Sequence, residues 1–143
     1  MSTTPEDPTR PDGNERVATW MSPARCRQLL AATRVSRVAF VHDGLPQMVV
    51  LNHAVDGEDV VFQTSDQTRL ARLTEGDAEI AATIETDSAT PAMHAGWSIV
   101  ASGRLSRTTE AELGAHPSPW RSDAVGVLLR LRIDQIHGQV VGA

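Results

Sequence analysis

Three hydroxyls and a guanidinium fall within six positions of one another in residues 60–73, VVFQTSDQTRLARL. Thr64, Ser65, Thr68 and Arg69 are residue types that hold a phosphate. Hydroxyls donate single hydrogen bonds, and a guanidinium donates charged ones, often in pairs. The stretch reads as a strand, a turn and the start of a helix. Val60, Val61 and Phe62 are β-branched or aromatic and suit the strand. Ser65 or Asp66 can cap the helix that Leu70, Ala71 and Leu73 continue. A helix start carries unpaired N–H groups and partial positive charge, and so attracts anions. The plain alternative is a capped surface helix with a solvated arginine.

Two other features accompany this turn. One is the apolar strand that ends in Asn52. The other is the pair Trp97 and Trp120, in a chain whose aromatic content is only 3%. A flat apolar cofactor with a phosphate tail would use all three. The strand backbone bonds the ring edge, the turn holds the phosphate, and a tryptophan covers the ring. Core packing is the alternative for Trp97, which opens a strand. Trp120 stands beside Pro119 and Arg121 in a polar loop and is harder to place in a core.

Other chemistries find less support. The histidines are His42, His53, His94, His116 and His137, and none is spaced four residues from another as in a helical metal site. No metal centre is expected. There is no G-x-S-x-G elbow, no glycine-rich dinucleotide fingerprint and no G-x-x-x-x-G-K phosphate loop. Cys26 is the only cysteine, which excludes an internal disulfide, and it reads as a small buried hydrophobe.

The elements that must position these residues follow from turn signals and periodicity. Residues 1–15 hold three prolines and almost no apolar side chain, so a disordered tail is expected, followed by one domain over 16–143. Ser22 and Pro23 start a helix that runs to about Thr33. Period-two patterns then predict strands over 37–42, 47–55 and 60–64, joined by Asp43-Gly44 and Asp56-Gly57 turns. Successive tight turns make an antiparallel meander. The helix after Ser65 is expected to end near Gly76. A fourth strand falls on 79–85, and a long fifth on 96–107 with Gly103 marking a bulge or bend. A short helical turn follows at 109–113, then an irregular loop to 123. A sixth strand covers 125–133, then a turn over 134–138, with 139–141 pairing briefly. Six short strands with glycine turns and two helices predict a mostly β, closed or partly closed barrel.

A net charge of −5 argues against nucleic acid bound through a global basic field. All thirteen basic residues are arginine. No apolar run approaches 18 residues, and the polar start does not read as a signal peptide. A soluble cytoplasmic protein, with no membrane partner, is the expectation.

The order of these pieces resembles the pyridoxamine 5′-phosphate oxidase-like family, the flavin-binding split β-barrels. The matching pieces are QMVVLN before Asp56-Gly57, then FQTSDQTRLARL, then GWSIVASGRL, then PW before the last strand. The resemblance covers about residues 20–142. It implies a six-stranded antiparallel split barrel and a homodimer with two FMN sites at its interface. It places Met48, Val49, Val50 and Asn52 along the flavin ring. It places Gln63, Thr64, Ser65, Thr68 and Arg69 at the ribityl chain and phosphate. Trp97 and Trp120 stand where family members bring aromatics near the flavin, commonly from the partner subunit. Many members carry lysine where this chain has Arg69. Leu70 and Gln139 stand where B6 oxidases carry further basic residues, so the resemblance is to the smaller branch, whose members bind FMN, a deazaflavin or occasionally heme.

The resemblance implies an FMN-binding oxidoreductase of unspecified small-molecule substrate. Flavin chemistry needs few protein acids or bases, and no catalytic residue stands out. Asn52 would donate to the pyrimidine edge. A deazaflavin-dependent reductase is the alternative, with Arg72 near the longer acidic tail. A non-enzymatic flavin- or heme-binding protein is the third reading, with His53 as the first candidate heme ligand.

Overall fold

The computed structural model describes residues 18–88, 95–115, 117 and 126–142. The expected tail, the loop histidines His94 and His116, and Trp120 lie outside the described residues.

Local chemistry builds the first half of the chain. Ser22 caps α1 (Pro23–Ala32) by accepting the Arg25 N–H at 3.2 Å, with Pro23 in the first turn. The helix buries Cys26 and Leu30. β2 (Val35–His42) and β3 (Leu45–Asp56) are joined by Asp43 and Gly44, with φ of 50° and 74°. Positive φ at both central positions matches the right-handed twist of the flanking strands. β3 and β4 (Asp59–Ser65) are joined through Gly57, with φ 63°.

The other strands are β1 (Ala18–Trp20), β5 (Ile80–Asp87), β6 (Gly96–Arg107) and β7 (Gly126–Val141). All pairings are antiparallel, in the order β1-β7-β4-β3-β2-β5-β6. β7 also pairs with β6, which closes six strands into a ring with β1 attached outside it. The interior holds Val38, Phe40, Val60, Phe62, Ile84, Leu105, Leu129 and Leu131, with Leu30 of α1 and Leu70 of α2 (Arg69–Leu73) packed into the same core. An interior of branched aliphatics suits a chain this poor in aromatics.

Several boundaries differ from the sequence expectation. The predicted turn at 134–138 is absent, and β7 runs straight through it. Ser102 pairs Gln135 and Gly103 pairs Ile133, so Asp134 is the extra residue of a β-bulge. Gly103 faces it, and a Cβ there would strike the Arg132 carbonyl. Gly138 is likewise no turn residue. A Cβ on it would come within 2.8 Å of Cys26 Sγ and 2.7 Å of Met21 Cε, so it lets the α1 region sit close on β7. α2 is shorter than expected because β4 extends through Ser65. Thr68, rather than Ser65 or Asp66, is its cap, accepting the Ala71 N–H at 3.2 Å. Gly76, with φ 63°, lies in the turn beyond it.

The ring is not evenly stitched. β3 and β4 share only four pairs, from His53↔Phe62 to Asp56↔Asp59. The other eight residues of β3, 45–52, pair only with β2. Residues 63–65 of β4 pair only with β7. The two strands part beyond His53 and Phe62, and the barrel is split there.

Candidate functional site

The split leaves one backbone edge of β3, over residues 45–51, without a strand partner among the described residues. Unpaired strand N–H and C=O groups are strong hydrogen-bonding sites. Strand alternation turns Met48, Val50 and Asn52 to the outer face and Val49 to the interior. Met48 is 63% exposed and Val50 46%. Val49 packs on the core. Its backbone alone can meet a ligand in the split. Arg37 lies opposite Val50 on the same face, 2.8 Å from both Glu85 and Asp87. Burial, then the hydrogen bond with Asp87, holds the Glu85 carboxyl above its usual range.

At one end of the split lies the hydroxyl turn. The Thr68 hydroxyl donates to the Ser65 carbonyl at 2.8 Å, so the buried Thr64 hydroxyl donates to Thr68 Oγ1 at 3.1 Å. Both protons are spent on shaping the turn. Ser65 Oγ accepts the Gln67 N–H at 3.2 Å and keeps its own proton for another acceptor. α2 has five residues and its cap is filled, so the helix end adds little to anion binding. The charge there comes from arginine. Arg69 is exposed and donates Nη1 to Gln47 Oε1 at 3.1 Å. Gln47 was not among the residues singled out from sequence. It is the third residue of β3, and only the return of the chain after β4 brings it to Arg69.

Gln63 faces outward from β4, its amide against Gly126 of β7. A Cβ at Gly126 would overlap that amide, so the glycine leaves the space the Gln63 side chain fills. Trp97 is half-buried at the start of β6 and pairs with Val140. Ser65 pairs with Gly126, fourteen residues earlier on β7. That is about 45 Å of extended strand. Trp97 and the hydroxyl turn therefore lie beside opposite ends of β7.

His53 belongs to the core. Nε2 donates to the Leu30 carbonyl at 2.9 Å, which fixes Nδ1 as acceptor of the Ser36 hydroxyl at 2.6 Å. Burial lowers its pKa below the ordinary histidine value. With both nitrogens engaged, His53 presents no ligand to a heme. Among the described residues no cluster of His, Cys, Asp or Glu could hold a metal ion. Among them, too, no helix is long and apolar enough to cross a membrane.

The chemistry of this set fits a phosphate-bearing flavin. It offers a free strand edge for the ring, apolar side chains beside that edge, and a guanidinium with amides and a hydroxyl at one end.

The family model for pyridoxamine 5′-phosphate oxidase matches residues 22–140. The chain belongs to that family. An uncharacterised protein of Mycobacterium tuberculosis, Rv0080, is 26% identical over 117 residues, 78% of this chain and 77% of that one. The solved structure of an FAD-binding protein from Mesorhizobium loti superposes with a TM-score of 0.69 at 20% identity, covering 90% of this chain and 99% of that one. An FAD and heme binding protein from Mycobacterium smegmatis gives a TM-score of 0.66 at 17% identity, covering 88% and 74%. The family model establishes the family, and the solved structures its split-barrel fold.

Proposed function

We propose that this member of the pyridoxamine 5′-phosphate oxidase family is a flavin-binding oxidoreductase acting as a homodimer. The observation that carries this is the parting of β3 from β4 with Gln47 and Arg69 at its end. The flavin ring lies along residues 48–52, bonded by the β3 edge over residues 48–51 and flanked by Met48 and Val50. Asn52 stands at the pyrimidine edge. Arg69, Gln47 and Ser65 hold the phosphate nearest the ribityl chain, and Gln63 lies beside that chain. FMN is the smallest cofactor that engages all of these groups. A bound flavin supplies the electron transfer itself.

The remoteness of Trp97 from the hydroxyl turn supports the dimer. If it covers a flavin ring, it covers that of the partner. The names of the similar structures, FAD-binding and FAD and heme binding, agree with a flavin.

The protein is mixed with excess FMN, desalted, and its absorbance recorded. Flavin bands near one FMN per chain are expected. Arg69→Ala should weaken FMN about tenfold, the low end for a charge-assisted contact because Arg69 is exposed. A variant that holds FMN as tightly as wild type would remove this phosphate assignment, and a protein that releases all added FMN would remove the reading.

A further inference from the structure

The barrel parts a second time, on the other side of the β2–β3 hairpin. The β2–β5 ladder runs from Arg37↔Glu85 to Ala39↔Thr83. Among the described residues, 40–42 of β2 pair only with β3, and 80–82 of β5 only with β6. The gap widens into an open groove of about 420 Å³. Small-molecule sites span roughly 300–1,000 Å³. Val41, Pro46 and Ala81 give the groove an apolar wall at the gap. Polar groups line the side toward β7. Thr83 and Ser102 are cross-strand partners, with hydroxyl oxygens 2.8 Å apart. One proton lies between those oxygens, and the other is left for a ligand.

Arg104, Asp134 and Gln135 complete that side. The β7 bulge leaves Asp134 and Gln135 both exposed, where an unbroken strand would turn one of them inward. Arg104 stands opposite Arg132, whose guanidinium is held by Glu79 at 2.7 Å. Arg104 and Asp134 line the same groove, yet neither side chain has a hydrogen bond or an ion pair among the described residues. The groove therefore offers one cation and one anion, each without a partner, beside an apolar wall. A plain carboxylate would meet Arg104 and be repelled by Asp134. A plain amine would meet Asp134 and be repelled by Arg104. A ligand that carries both charges satisfies both groups.

We propose that this groove binds a small zwitterion with an apolar body, an α-amino acid with a large apolar side chain. Its carboxylate meets Arg104 and the spare hydroxyl proton. Its ammonium meets Asp134, and its side chain lies against Val41, Pro46 and Ala81, out of water. The site stands apart from the flavin reading, because the β2–β3 hairpin separates the two partings. A second copy seated on the exposed face of β2 and β3 would roof the groove at Val41 and leave it open toward β7.

The full chain is titrated by calorimetry with L-phenylalanine, 3-phenylpropanoate and L-phenylalaninamide. The second ligand lacks the ammonium and the third lacks the carboxylate. L-Phenylalanine should bind once per chain, about tenfold more tightly than either analogue. Arg104→Gln should weaken L-phenylalanine about tenfold and leave the amide within about twofold. Asp134→Asn should weaken L-phenylalanine by a similar factor and leave 3-phenylpropanoate no weaker. Arg25→Gln, which removes a charge on α1, should change nothing, and a thermal melt checks the folding of each variant. Saturating FMN should leave the affinity for L-phenylalanine unchanged. A chain that does not bind L-phenylalanine overturns the proposal, as does equal affinity for the three ligands. Displacement by FMN overturns it too, since the ligand would then lie in the opening between β3 and β4. A chain that binds L-phenylalanine as expected and no FMN supports this site while the flavin reading fails.

Discussion

His53 shows how far a residue's type is from its role. The same imidazole that could ligate a metal or shuttle a proton is here a neutral clamp between α1 and two strands. It takes a hydroxyl from Ser36 and gives its proton to the Leu30 carbonyl. Burial is the main cause of its lowered pKa. The unfolded chain takes up a proton near the ordinary value of about 6.5, while the folded chain resists it. Stability from His53 is therefore present above about pH 6.5 and lost as pH falls below it. Melting temperatures of wild type and His53→Gln, measured from pH 8 to pH 5, should converge toward the acid end. Parallel curves across that range would show that burial of the neutral ring contributes nothing pH-dependent. The residue-scale reading of Thr64, Ser65 and Thr68 also changes once partners are known. Sequence made three hydroxyls equal candidates, but two donate inside the turn and only Ser65 retains its proton.

At the scale of elements, the β6–β7 pairing sets the shape of the barrel. It is the longest ladder, and its bulge at Asp134 lets β7 continue for sixteen residues. Gly103 is the counterpart of that bulge. Gly103→Ala would drive a methyl group into the Arg132 carbonyl, where backbone rather than a flexible side chain must yield. The expected loss is about 1–3 kcal/mol, read as a lower midpoint in urea with an unchanged slope. A midpoint equal to that of wild type would mean the two strands are not in this register. A second tie between elements is Arg130, which binds Asp56 and Asp59 while its guanidinium also donates to the Glu112 carbonyl at 3.2 Å. Asp56 in turn accepts the Gly114 N–H at 3.1 Å. These bonds fasten the segment after β6 onto the β3–β4 hairpin.

Over the whole molecule, the outer face of β2 and β3 is the least covered apolar surface described. Val35, Val41, Met48 and Val50 are all exposed on that face. Contiguous apolar patches of this kind on a soluble protein mark contact surfaces. The proposed dimer would cover them. Sedimentation should give twice the chain mass for wild type, and Val50→Arg should shift it toward monomer, because an isologous contact meets each added charge twice. A wild-type monomer at micromolar concentration would remove the dimer and with it any role for Trp97 at the flavin.

Much of the fold was legible because its signals are local. Asp43-Gly44 and Gly57 carry their backbone conformations in their own residue types, although Asp56, expected in the second turn, is the last paired residue of β3, and strand alternation needs no neighbour to be seen. The fifth strand, residues 96–107, matches its expected bounds. What sequence did not show depends on residues far apart in the chain. Gly138 reads as a turn until α1 is packed against it. Where β3 leaves β4 is set by how the whole sheet coils and closes, and only that departure opens an edge for a ligand. The meeting of Gln47 with Arg69 has the same origin, since twenty-two residues separate them. Residue types determined by themselves that this chain could grip a phosphate beside an apolar strand. The tertiary structure decided which hydroxyl and which amide remain to do it, because hydrogen bonds are shared out only when the chain has closed.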